Sequence, residues 1–174
     1  KSPTDTALRV ADLPQNGSFA FELTPDTALR KAIAAELDLS EVRKLRFVGD
    51  IKGVGRHDWE LNGALGATVV QPCSVTLEPV TTRIDAPVKR LFLRDYESPD
   101  EEEAEMDGDD TVEALGTYID PAAIMIEALS LEVPDYPRSP DAELGEAVYA
   151  EGDVKPMTDA DARPFAALAA LRDQ

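Results

Sequence analysis

The chain has 174 residues with one cysteine, one histidine and a formal net charge of −18. A lone cysteine closes no intramolecular disulfide, and one Cys with one His cannot build the usual Cys/His zinc site. No run of about 18 apolar residues crosses a membrane as a helix and no basic-then-apolar start marks a secretory signal, so the expectation is one cytoplasmic domain over residues 1–174, large enough for a substantial core.

Leu8 and Val10, then Phe19, Phe21 and Leu23, alternate with small or polar residues around Pro14, Asn16 and Gly17, which predicts two short strands joined by a turn. Thr24-Pro25-Asp26 reads as a helix start, with Thr24 accepting from orphan amides and Pro25 at the first helical position. Leu29, Ile33 and Leu37 give that helix an apolar stripe of about three turns, with Arg30 and Lys31 facing outward. Leu45, Phe47, Gly49 and Ile51 keep strand parity, and Gly53 and Gly55 permit the hairpin connection that follows.

Trp59, Leu61, Gly63, Leu65, Ala67 and Val69 share one parity, the mark of a strand with one buried face. Pro72 cannot give an N–H to a ladder, so a break is expected there, with Cys73, Val75 and Leu77 opening a second strand. A third run goes from Thr81 through Ile84 and Val88 to Phe92, interrupted at Pro87. Beyond an acidic segment, Asp120 and Pro121 start a helix carrying Ile124, Met125, Ile126, Leu129 and Leu131, which ends before Pro134. Pro134, Pro137 and Pro140 predict an extended, poorly packed connection at about 134–140. A last short helix is expected from Thr158 or Pro164, burying Phe165, Leu168 and Leu171, a stripe that also suits a docking helix.

Cys73, Leu77 and Pro79 match a Cys-x-x-Cys-Leu-x-Pro pattern, with Thr76 where the second cysteine would stand, and Pro164-Phe165 with Leu168 and Leu171 match an Asn-Pro-Phe-x-x-Leu-x-x-Leu ending in which Arg163 replaces the Asn. In these motifs and their order the chain resembles the YceD-like family of large ribosomal RNA subunit accumulation proteins. The resemblance implies a non-enzymatic ribosome biogenesis factor, needed for accumulation or processing of large-subunit (23S) rRNA. Its implied partners are that RNA, a large-subunit precursor particle, or a basic large-subunit ribosomal protein.

The fold class expected is α+β: a curved, mainly antiparallel sheet covered by about three helices, with a long acidic loop at about 96–111. From Asp95 to Asp110 there are ten acidic residues and no Lys or Arg, among them Asp100, Glu101, Glu102, Glu103, Glu105, Asp107, Asp109 and Asp110. Such a run with almost no apolar residue reads as a mobile, solubilising loop, or as a phosphate mimic that screens a basic surface. From Arg30 to Arg94, eleven basic residues outnumber eight acidic ones. Arg43, Lys44, Arg46, Lys52 and Arg56 on one hairpin, with Arg83, Lys89, Arg90 and Arg94 on a neighbouring strand, are the candidates for contacting RNA phosphates. The competing reading is an ordinary solvated sheet face, its cations paired with Asp50, Asp58 and Asp85.

Cys73 reads as a small buried hydrophobe and His57 as a surface turn residue, since no nucleophile, base and orienting partner come together. Asp107-Gly108-Asp109-Asp110 lacks the ligand spacing of an EF-hand, and no phosphate-binding glycine loop is present. The expectation is therefore a binding protein with no cofactor, metal, membrane or small-molecule substrate. The alternative is an acidic, protein-only adaptor or chaperone without RNA contact.

Overall fold

A computed structural model describes residues 5–96 and 111–142. The first strand, β1 (Leu8–Arg9), leads through a 3-10 turn at Val10–Asp12 to β2 (Ser18–Leu23), then α1 (Thr27–Glu36). Three long strands follow, β3 (Glu41–Val54), β4 (Asp58–Pro72) and β5 (Pro79–Leu93), and after them β6 (Val112–Ala114), β7 (Tyr118–Ile119) and α2 (Pro121–Glu132). The main sheet has the order β2-β3-β4-β5-β6, antiparallel except for β6 beside β5, while β1 and β7 pair as a separate two-stranded sheet. The fold is thus α+β with a mostly antiparallel sheet and, among the described residues, two α-helices. The expected acidic loop and the helix with Phe165, Leu168 and Leu171 lie outside the described residues.

Strand parity explains the layering. Leu45, Phe47 and Ile51 of β3, Trp59, Leu61, Leu65, Ala67 and Val69 of β4, and Ile84, Ala86, Val88 and Phe92 of β5 are buried together with Ile33 and Ala34 of α1 and Ile124, Met125, Ala128 and Leu129 of α2. Both helices therefore cover one face of the sheet. Gly49 and Gly63 are register partners on that face, and they leave room for the rings of Phe21 and Phe47: a Cβ at Gly63 would lie 2.6 Å from the Phe47 ring. The opposite face carries no described element.

Several expectations need correction. β1 forms no hairpin with β2, because Leu8 pairs with Ile119 instead. α1 is capped by Asp26, not Thr24, the Asp26 carboxylate accepting from the Leu29 amide at 2.8 Å, and this start turns Leu29 outward at 47% exposure. β4 ends at Pro72, where the break was expected, but Cys73 opens no strand; Cys73 to Glu78 form the turn into β5. Pro87 does not interrupt β5, since that strand has no described neighbour on its far side before Leu91, where a missing donor is harmless. The 134–140 connection is not loose: Pro137 is buried and its carbonyl accepts from the Ser74 amide at 2.8 Å. α2 starts and stops as its sequence predicts, with Asp120 accepting from the Ala122 amide and Val133 as the C-cap.

Candidate nucleic-acid interface

Along β3, parity counted back from Leu45 would bury Arg43. A bulge between Val42 and Lys44 resets the count, so that Val42 is buried and Arg43, Lys44 and Arg46 are all exposed. Arg46 lies opposite Gly66 of β4, which lies opposite Asp85 of β5, and Lys44 faces Thr68, which faces Arg83. β4 thus separates the two basic strands with a floor of small residues, Ala64 and Gly66. A Cβ at Gly66 would sit 3.0 Å from an Arg83 guanidinium nitrogen, so the glycine is what lets Arg83 lie across the floor.

These residues line an open concavity of about 420 Å³, with Arg30 of α1 on its rim. Three of its five cations are partly neutralised: Arg43 Nε is 3.0 Å from Glu41, Arg46 Nε is 2.8 Å from Glu22, and Arg83 is held by Asp85 through two contacts. The Arg83 guanidinium in turn lowers the Asp85 carboxyl pKa. Among the described residues no carboxylate pairs with Lys44 or with Arg30, whose guanidinium donates to the Pro25 carbonyl at 2.7 Å and to Thr27. All the pairs are half exposed, and such pairs exchange readily for contacts with an incoming phosphate.

The other candidates do not join this cluster. Lys52 and Lys89 share the open face but converge on Glu60, at 2.7 and 3.1 Å. With Asn62 as a further donor, the two lysines depress Glu60 to a pKa of about 2, and Glu60 raises that of Lys52. Arg56 is exposed in the β3–β4 turn, and Arg94 binds Asp58 through its amide and approaches His57 through its side chain. Arg90 points to the opposite face, 8% exposed, between Glu113 at 3.0 Å and Glu127 at 2.8 Å. The nine cations are therefore not one platform: Arg43, Lys44, Arg46 and Arg83 gather, and Arg30, which sequence reasoning took only as outward-facing, joins them.

A family model described as large ribosomal RNA subunit accumulation protein YceD matches residues 61–172, more than half of the chain. The chain belongs to the YceD family. That family's name ties it to the large ribosomal subunit and its RNA. Arg83 falls inside the matched span, whereas Arg30, Arg43, Lys44 and Arg46 precede it. No curated protein and no solved structure matches the chain.

Cys73, Leu77 and Pro79, which the sequence singled out by resemblance, build a clamp, not a second cationic site. Cys73 Sγ is fully buried and receives the amides of Val75, Thr76 and Ser139, each at 3.4 Å. With the Thr76 hydroxyl as the leading donor, these hydrogen bonds pull the thiol pKa down to about 6. Leu77 takes a left-handed φ of 63° and is 77% exposed, which bends the chain so that Glu78 can return its carbonyl to the Cys73 amide at 2.7 Å before Pro79 starts β5. Pro164, Phe165, Leu168 and Leu171 lie outside the described residues. Among the described residues no group of three His, Cys, Asp or Glu is placed to hold a metal ion, and no helix is long and apolar enough to cross a membrane.

Proposed function

We propose that this chain supports accumulation or processing of large-subunit rRNA by binding and not by catalysis, with the Arg30, Arg43, Lys44, Arg46 and Arg83 concavity set against the sugar-phosphate backbone. The observation that carries the reading is the bulge, which puts three successive outward cations of β3 beside Arg83 over a floor without bulky side chains. Phosphates approaching that floor meet two cations with no competing carboxylate among the described residues and three in exposed pairs. Such contacts release counterions and leave base edges unread, so sequence choice comes from RNA shape or from a bound ribosomal protein.

The test is a salt-titrated binding assay with 23S rRNA fragments. R43E/K44E/R46E abolishes binding, and the milder R43A/K44A/R46A flattens the slope of log K against log salt by about two. Unchanged binding of both variants refutes the RNA interface and leaves a protein-only adaptor as the reading.

A further inference from the structure

At the other end of the sheet, a second concavity of about 560 Å³ lies where the small β1–β7 sheet meets the main one. The seam is spanned by the link from β6 to β7: Leu115 donates its amide to Leu93 at 2.8 Å, and Thr117 accepts from the Val10 amide at 3.0 Å. Arg9 stands on one side of this link and Arg94 on the other, with His57, Gln15 and Trp59 completing the polar lining. Among the described residues no Asp or Glu lines it. Asp58, next in sequence to His57, is engaged by the Arg94 amide at 3.0 Å.

Two features make this more than a solvated dent. The Arg94 guanidinium lies 3.3 Å from His57 Nδ1. Arginine has only hydrogens to give, so Nδ1 accepts and Nε2 carries the ring hydrogen, adding a donor to the guanidinium groups. Trp59 is 1% exposed and its indole nitrogen is buried, so the ring forms a closed wall of the cavity and the donors to an occupant are Arg9, Arg94 and His57.

We infer that this seam is a second anion site, built to take a phosphate group between Arg9 and Arg94. Guanidinium forks match oxyanions, and donors arriving from separate elements are met better by the pyramid of oxygens on a phosphate than by a flat carboxylate. The phosphate is either that of a free nucleotide or one unit of an RNA backbone. The inference does not depend on the cationic concavity beside β3.

Trp59 is the sole tryptophan, so its emission reports on this wall alone. The intact chain is titrated with inorganic phosphate, with AMP and with an eight-residue oligouridylate at fixed ionic strength, and ³¹P line broadening of inorganic phosphate and AMP is followed in parallel. Saturable emission changes with AMP or phosphate identify a free ligand, and saturation by the oligonucleotide alone identifies a backbone site; either supports the inference. R9Q/R94Q, both at exposed positions, weakens the response at least tenfold, while R43A/K44A/R46A leaves it intact. An unresponsive Trp59 with all three probes, an R9Q/R94Q curve equal to that of the parent, or loss of the response in R43A/K44A/R46A overturns it.

Discussion

Glu60 determines how much positive charge Lys52 and Lys89 present on the open face. Its carboxylate, 15% exposed, holds Lys52 and Lys89 from the strands on either side. Replacing it in E60Q keeps the shape and removes the charge, with two consequences of opposite sign. The fall of the Glu60 pKa from 4.5 to about 2 sets a ceiling of about 3 kcal/mol on what the two pairs add to stability. The lysines are 47% and 59% exposed, so screening reduces this to about 1–2 kcal/mol at neutral pH.

Because the pKa is depressed on folding, this contribution is complete above pH 4.5 and is lost as the pH falls toward 2. Urea unfolding of parent and E60Q from pH 7 down to pH 2.5 reads it: the difference shrinks in acid. Under the proposed RNA-binding role, affinity moves the other way. Two released ammonium groups steepen the salt dependence of rRNA binding by about one to two in log-log slope and tighten it at low salt. Equal stabilities at neutral pH refute the pairing; a destabilised E60Q with an unchanged salt slope keeps the pairing but removes Lys52 and Lys89 from the RNA face.

Arg90 and Cys73 give two further tests. R90A leaves Glu113 and Glu127 without their shared cation and opens a gap between β5, β6 and α2; since both carboxylates are about half exposed, the expected loss is about 2–3 kcal/mol in urea unfolding, and a loss below about 0.5 kcal/mol refutes the bridge. C73A removes the acceptor of three amides. The depressed thiol pKa makes the Cys73 contribution complete above pH 9.0 and lost as the pH falls through about 6, so the stability difference between parent and C73A grows from pH 6 to pH 9; a constant difference refutes the hydrogen-bonded thiolate.

The long strands were legible because parity runs through most of β4 and β5 and through β3 from Lys44 onward, and α2 because Asp120-Pro121 and Pro134 mark its ends chemically. Where parity breaks, the reading failed. At Val42 and Lys44 nothing local signals the inserted residue that exposes Arg43, although adjacent Arg43 and Lys44 cannot both be outward on a regular strand. Arg90 is the reverse case. It shares parity with Val88 and Phe92, so the pattern placed it inside while its charge suggested a surface role; two glutamates distant in sequence make the inside position tolerable. The two-residue strands β1 and β7 are too short for any periodicity, and their pairing exists only through tertiary contact. Arg30 was named but not placed in the site, because helix spacing does not report where the following strand will bring its own cations.

The pairing of β1 with β7 also orders events during synthesis. β3, β4 and β5 are joined by tight turns and can zip up as soon as each hairpin has left the exit tunnel, whereas the Thr6 hydroxyl must wait for Asp120, 114 positions later. The seam that brings Arg9 toward Arg94 is accordingly sealed late, and a nascent chain carries a finished central meander well before its amino-terminal end has anywhere to dock.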